Sequence, residues 1–297
     1  MGNEIKIRLQ GHEKFPLREG WLNKGIKAVK NNPMVFQKNG TDILGVGTNM
    51  VKSIRFWLNA FQLIKESPKN GVVLTELGEI IYKYDKNIID DFTLWLLHMN
   101  LICNNREATS WYLFFNRCDI NEFDKKTLFN HMKRELIKYT GNDNFSENSL
   151  NSDIDVLFSM YSKNKNVGDP EDKNTSPFSK LGLLQKMGDI VYKTQPDIRK
   201  INEWVVLEII ARFLENDISV SIDTAIMSEN GVARITQLGI IAINDILDKL
   251  DMIGCIRINR TAGLDMIYRV ENYNYDSVAI AEQYLSLIHI SEPTRPY

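Results

Sequence analysis

The chain has 297 residues, 43% of them hydrophobic, too long for one small core and in keeping with about two domains of ~100–200 residues each. Its 36 basic and 38 acidic residues give a formal charge of -2, which excludes a basic surface overall, so a nucleic-acid footprint has to be local. Cys103, Cys118 and Cys255 stand far apart with no Cys-x-x-Cys pair, which excludes a disulfide framework and a zinc ribbon, and no run reaches the ~18 apolar residues of a membrane span. The start, Met1-Gly2-Asn3-Glu4, has no apolar signal core, so the expectation is a soluble, unexported protein of a reducing cytosol.

In chain order, the first informative stretch is Gly11-His12-Glu13-Lys14-Phe15-Pro16-Leu17-Arg18-Glu19-Gly20-Trp21, with imidazole, carboxylates and cations crowded around a proline and a tryptophan. Its structural reading makes Pro16 the first residue of a helix and Phe15 and Trp21 core anchors. Next come Gly45-Val46-Gly47-Thr48-Asn49 and an amphipathic helix expected over 49–65. Met50, Ile54, Trp57, Leu58, Phe61 and Ile64 share its apolar face, Lys52, Arg55, Asn59 and Gln62 the polar one, and Thr48 or Asn49 serves as cap. Helices are expected over 74–84, 90–100 and 124–139, while the aromatic run 111–115 reads as either strand or buried helix. Between 141 and 179 the composition turns to Asn, Ser, Asp, Gly and Lys, the mark of a linker or surface loop, interrupted by a short apolar 156–161. Helices over 203–216 and 235–251 follow, the latter with Leu238, Ile241, Ile246 and Leu250 inward, and a hairpin is expected from two alternating runs at 255–260 and 264–270. Residues 285–297 begin Leu-Ser-Leu-Ile-His-Ile-Ser-Glu-Pro-Thr-Arg and look like a translated sequencing adapter, a non-native tail beyond about Tyr284.

Helix, helix and a hairpin with basic flanks is the order of a winged helix-turn-helix. Residues 74–80 resemble 235–241, so the first half echoes the second. The expected fold class is mainly α with small β-hairpins (α+β), divided into an N-terminal helical domain (1–140), a linker (141–179) and a C-terminal winged-helix-like domain (180–284).

Gly45-x-Gly47-Thr48 ahead of a helix can offer backbone amides and the helix dipole to a phosphate, with Asn49, Lys52 and Arg55 close by, or it is simply a capped helix start. It lacks the Gly-Lys-Ser/Thr ending of a P-loop, and Met50 takes the third glycine position of a dinucleotide fingerprint. His12 and Glu13 have the chemistry of acid, base or metal ligand, without a second His or Cys at ligand spacing; Lys14 and Arg18 beside them suit an oxyanion. Asp91 and His98, seven apart, fall on one helical face and form a further ligand pair, or Asp91 merely complements the helix dipole. In the second half Arg234 and Gln237 at a helix start, with Arg257 and Arg260 on the hairpin, are placed to touch phosphates and base edges, although such modules also dock proteins.

The stretches 11–25 and 45–57, together with Thr93-Leu94-Trp95-Leu96-Leu97-His98 and Ala108-Thr109-Ser110-Trp111-Tyr112-Leu113-Phe114-Phe115-Asn116, resemble the domain of unknown function 4007 family over nearly the whole chain. That resemblance implies a setting in prokaryotic DNA phosphorothioation and phage restriction, beside phosphoadenosine-phosphosulfate reductase-like and cysteine desulfurase proteins. A protein of this type nicks DNA in the single-strand version of such systems, and the family carries no catalytic residues over. The expected function is a DNA-binding component of such a system. Strand nicking would use a divalent metal such as Mg, with His12, Glu13 or Asp91 as ligands or base and Lys14, Arg18 or Lys52 stabilising charge. The alternatives are a regulator or targeting subunit that binds DNA without cutting it, and an assembly adaptor that buries Trp21, Trp57 and Trp111 against the sulfur-transfer enzymes.

Overall fold

The structure is a computed structural model and describes residues 5–67, 71–162, 176–261 and 263–291. The first half opens with α1 (Trp21–Asn31), the short α2 (Gly40–Leu44) and α3 (Thr48–Ala60), followed by the hairpin β1 (Ile64–Ser67) and β2 (Gly71–Leu74), paired from Ile64↔Leu74 to Ser67↔Gly71. Helix α3 therefore ends five residues short of the span expected from periodicity, and its N-cap is Gly47, with no side-chain cap bond from Thr48 or Asn49. The apolar face is as expected: Ile54, Trp57, Leu58 and Phe61 are fully buried. Pro16 precedes α1 by a loop instead of starting it. Gly25 lets α1 lie close on α3, since a Cβ there would fall 2.7 Å from Leu58.

Next come α4 (Glu76–Tyr84), α5 (Asp91–Cys103), α6 (Thr109–Asn116), the two-residue β3 (Glu122–Phe123), α7 (Lys125–Thr140) and α8 (Glu147–Tyr161). Thr75 caps α4 by accepting from the Gly78 amide, Asp90 caps α5 and Asp124 caps α7, in each case satisfying an amide of the first turn. The undecided aromatic run 111–115 is the body of α6. Helix α5 is buried from Phe92 to Ile102, on every side, as its all-round apolar sequence requires. Helix α8 occupies the centre of the stretch expected as linker; Leu150, Ile154, Leu157, Met160 and Tyr161 are fully buried, and the other part of that stretch, 163–175, lies outside the described residues.

After a 3-10 turn at Pro177–Leu181 come β4 (Leu184–Met187) and β5 (Ile190–Lys193), which join β3 in an antiparallel sheet of order β3-β5-β4. The C-terminal part runs α9 (Glu203–Leu214), β6 (Ser219–Ser221), α10 (Ile222–Met227), α11 (Val232–Thr236), α12 (Ile240–Met252), β7 (Arg257–Thr261), β8 (Leu264–Tyr268) and α13 (Ser277–Ser291), with the sheet ordered β6-β8-β7. The expected hairpin is β7–β8. The single helix expected over 235–251 is broken by Gln237, in the left-handed region at φ 55°, into α11 and α12, and Ile241 points outward at 82% exposure. The echo between the halves is loose: Thr75 caps α4, whereas Thr236 ends α11 and Gly239 caps α12. In the first half the hairpin also precedes its helix pair.

The fold class is thus mixed, mainly helical with small antiparallel sheets. One hydrophobic core runs through both halves, because α5 packs on α6, α9 and α11 and α13 returns to pack on α4. Within the adapter-like tail, Leu285 is buried, Ile288 is half-buried and His289 lies 5.9 Å from the Tyr84 ring, while 292–297 are outside the described residues. Among the described residues no helix is long and apolar enough to cross a membrane.

Candidate nucleic-acid interface

The loop 10–15 and helix α3 bring the two motif stretches together. Gln10, Glu13 and Lys14 all adopt the left-handed backbone region, at φ 56°, 50° and 67°, a conformation that costs a non-glycine residue about 1 kcal/mol or more and that persists only where surrounding structure enforces it. The enforcement is visible. Phe15 carbonyl accepts from the Trp57 indole at 3.2 Å, Gln10 amide donates to Asp153 at 2.8 Å, and the Gln10 side-chain oxygen accepts from Ser149 at 3.0 Å, so α3 and α8 grip the loop from two sides.

His12 is the centre of that grip. Its ring is fully buried, stacked on Trp57 with centroids 5.9 Å apart and edge-on to Trp111 at 5.6 Å. The Lys14 amide donates to Nδ1 at 3.1 Å, so Nδ1 is the acceptor and Nε2–H donates to Asp153 Oδ1 at 2.8 Å. Asp153 also accepts from the Ser110 hydroxyl at 2.5 Å. The order Ser–Asp–His is not that of a nucleophile triad, in which the hydroxyl bonds to the imidazole. With both ring nitrogens used inside the core, His12 holds the loop and does not face a substrate, which corrects the expectation of a metal ligand or base at this position.

Above this buried knot lies a cleft of about 330 Å³ lined by Arg8, Gly11, Glu13, Phe36, Val51, Lys52, Arg55, Phe56, Asn59 and Glu66. Three cations and two carboxylates line the wall, and Glu107 beside Arg8 brings the local charge to balance. Lys52 Nζ stands 3.7 Å from Glu13, Arg55 pairs with Glu66, and Arg8 pairs with Glu107 at 2.5 Å while its guanidinium lies 5.2 Å from the Phe56 ring centre. Such exposed pairs contribute about 0–1 kcal/mol each, so an arriving phosphate competes with them readily. Gly45, Gly47, Thr48 and Asn49 are exposed at the open amide end of α3, one turn before Lys52. Lys14 is exposed; Arg18 is half-buried, its guanidinium over Phe15 and Trp21 at 5.7 and 5.3 Å.

Gly11 has no room for a side chain: a Cβ would sit 2.5 Å from the buried Phe56 ring and 2.6 Å from Arg8 Nε. Gly11→Ala is expected to cost about 1–3 kcal/mol by displacing that ring, measured as a lower urea midpoint.

The remaining sequence-predicted residues do not join this cleft. Asp91 is exposed on the first turn of α5 and is not among the cleft residues, whereas His98 is fully buried, donating from Nε2 to the Ile235 carbonyl at 3.0 Å and accepting at Nδ1 from Tyr161 at 2.8 Å. Burial drives its imidazole down to about 3, so it is neutral and no partner of Asp91. In the C-terminal half every candidate cation has an acidic partner: Arg234 with Asp119, Arg257 with Asp251 at 3.8 Å, Arg260 with Asp248 at 2.5 Å. Gln237 is half-buried, and its amide nitrogen, oriented to satisfy its neighbours, donates to the Thr194 and Leu183 carbonyls at 3.0 and 3.1 Å. Trp21, Trp57 and Trp111 are 6%, 0% and 1% exposed, so they form core and cannot be the surface of an assembly adaptor. Among the described residues no three His, Cys, Asp or Glu side chains gather to hold a metal. Sequence reasoning missed Asp153, whose only signal was its place four residues before Leu157 in an otherwise polar stretch, and the cleft residues Arg8, Phe36 and Glu66.

No curated protein matches the chain. Two solved structures share its fold: a magnesium ion-bound SspB crystal structure, with a TM-score of 0.83, 21% identity and coverage of 97% of this chain and 89% of that one, and an SspB crystal structure with a TM-score of 0.82, 22% identity and the same coverage. The match to the family described as "Protein of unknown function (DUF4007)" spans residues 9–285, and the chain belongs to that family.

Proposed function

We infer that the protein is a DNA-binding component of a DNA phosphorothioation, restriction-type phage-defence system, working beside the phosphoadenosine-phosphosulfate reductase-like and cysteine desulfurase proteins of that system. The observation that carries the reading is the convergence of the two charged motif stretches on one cleft, whose three cations are held only in exposed pairs, beside the open end of α3. Family membership and the whole-length likeness in fold to SspB support the setting. Lys52, Arg55 and Arg8 take the phosphates, with Lys14 and the amides at Gly47 to Asn49 extending the track along the surface.

The C-terminal part fits a winged helix in element order, β6-α10-α11-α12-β7-β8, and in sheet order. Its candidate cations Arg234, Arg257 and Arg260 sit in exposed acidic pairs as the cleft cations do, and the large apolar side chains that α12 leaves exposed support a docking role there.

Strand nicking is the second reading, favoured by the magnesium held in one structure of this fold. Magnesium is commonly held by one or two carboxylates plus substrate phosphates, and Glu13 and Glu66 on the cleft wall are two such carboxylates, each with a cationic partner and without a ready-made cage around them. His12, sealed in the core, and Asp91, away from the cleft, have no part in this version.

Supercoiled plasmid incubated with the protein, with and without magnesium, separates the readings: retarded circles mark binding, relaxed circles nicking. For Lys52→Glu with Arg55→Glu, DNA affinity is expected to fall and the salt dependence to flatten by about two phosphate contacts. An unchanged affinity and slope would remove the cleft from the interface.

A further inference from the structure

Of the large hydrophobic side chains exposed by the described residues, a dense group lies on α12 and its surroundings: Ile240, Ile241, Met252 and Ile253 are 56%, 82%, 84% and 56% exposed, and Leu264 is 70% exposed. Strand β7 runs antiparallel to α12, since the Ile258 amide donates to Asp251 at 3.1 Å while Arg260 reaches back to Asp248 and Asn244. The hairpin tip therefore lies toward the first turn of α12, and the exposed apolar side chains of the helix fall at its two ends, Ile240 and Ile241 at the start and Met252 and Ile253 at the close. At 100° per residue, Ile241, Asp245, Asp248, Lys249 and Met252 make one outward stripe, with the terminal apolar groups about 16 Å apart. Large apolar side chains left in water at both ends of one helix face gain by burial against a partner.

The stripe does not suit DNA. It offers Asp245 and Asp248 with Lys249 as its one cation, and the nearby Arg257 and Arg260 are already paired. It does suit itself. Laid antiparallel on an identical helix about an axis near residue 247, Ile241 of one copy meets Met252 and Ile253 of the other, and Asp245 meets Lys249, twice over. Asp248, close to that axis, is neutralised by its own Arg260. A two-fold interface requires this kind of self-complementarity, with residue i facing j and j facing i.

We propose that α12 is a dimerisation helix: its outward face packs antiparallel on α12 of a second copy of this chain. This goes beyond the DNA-binding reading.

The test is sedimentation velocity of the full chain from micromolar to hundreds of micromolar, on the wild type and on variants at exposed positions that leave the core alone. Asp245→Lys sets lysine against lysine and Lys249→Asp sets aspartate against aspartate; each is expected to weaken the dimer by about tenfold or more. The double variant D245K/K249D restores the pairing and returns the affinity to near wild type. Ile241→Asp with Met252→Asp is expected to leave a monomer. A monomeric wild type, a dimer indifferent to the single variants, or a double variant no better than the singles would each overturn the proposal. A monomer that still retards DNA sinks the dimer alone; a dimer that binds no DNA sinks the other reading alone.

Discussion

Asp153→Ala is expected to lower stability by about 3–5 kcal/mol, measured as the shift in urea midpoint multiplied by the slope. The carboxylate is 1% exposed and receives three donors, the Gln10 amide, the His12 imidazole and the Ser110 hydroxyl. Each donor left without an acceptor in the core costs about 1–3 kcal/mol, and water has no ready route to replace the carboxylate. Asp153→Asn keeps the shape but turns one acceptor into a donor facing donors, so it is expected to recover little. The three groups form one network, hence the losses do not add: once His12 is replaced by Ala, removing Asp153 costs less than in the wild type, with a coupling of about 1–3 kcal/mol. The same substitution releases the loop 10–15, so cleft and core fail together. A midpoint unchanged by Asp153→Ala would mean the carboxylate carries none of this.

The second large effect concerns pH. His98 is held neutral, with a folded value of about 3 against an ordinary 6.5, because burial penalises the imidazolium. As pH falls from about 6.5 toward 3, the unfolded chain takes up a proton that the folded chain refuses, and stability drops by about 1.4 kcal/mol per pH unit. Glu208 works in the opposite sense. Burial raises its carboxyl from 4.5 to about 7 despite Arg212, so the folded chain keeps a proton that the unfolded chain sheds between 4.5 and 7, and stability falls as pH rises through that range. From about 4.5 to 6.5 the two slopes oppose each other and nearly cancel. Glu208→Gln is therefore expected to unmask the His98 slope, losing more stability than the wild type on acidification. His98→Gln is expected to unmask the Glu208 slope, losing more on going from pH 4.5 to 7. Urea titrations of the three proteins across this range check both signs; parallel curves would show that neither group titrates as its burial demands.

Much of the fold follows from periodicity. The apolar stripe of α3, the helices α4, α5 and α7, and the alternating strands of the β7–β8 hairpin are all local patterns whose physical cause lies within a few residues. Helix α8 was illegible for the opposite reason. Its Asn, Ser and Asp content reads as loop, yet Ser146 caps it, its polar residues face outward, and Asp153 points inward because His12, some 140 positions earlier, supplies its donor. The same long-range pairing turned His12 from an apparent ligand into a buried support. Spacing placed Asp91 and His98 on one helical face, but could not reveal that one end of α5 is wet and the other lies against Tyr161 and Ile235. The cleft was half legible: the two motifs were visible, and their meeting was not, because Arg8, Phe36 and Glu66 reach it from other parts of the chain.

Helix α5 has its acceptors and donors scattered along the sequence. His98 waits for Tyr161 and for the Ile235 carbonyl, Asn100 for Arg212, and the α4 surface for α13. During synthesis, this helix, buried from Phe92 to Ile102, leaves the ribosome well before the segments that cover it are made. The nascent first half consequently spends that interval with an uncovered apolar helix, at the rate of ~5–20 residues per second typical of translation. Hydrophobic surface exposed in that way is prone to aggregate, which is the consequence of building one core from both ends of the chain.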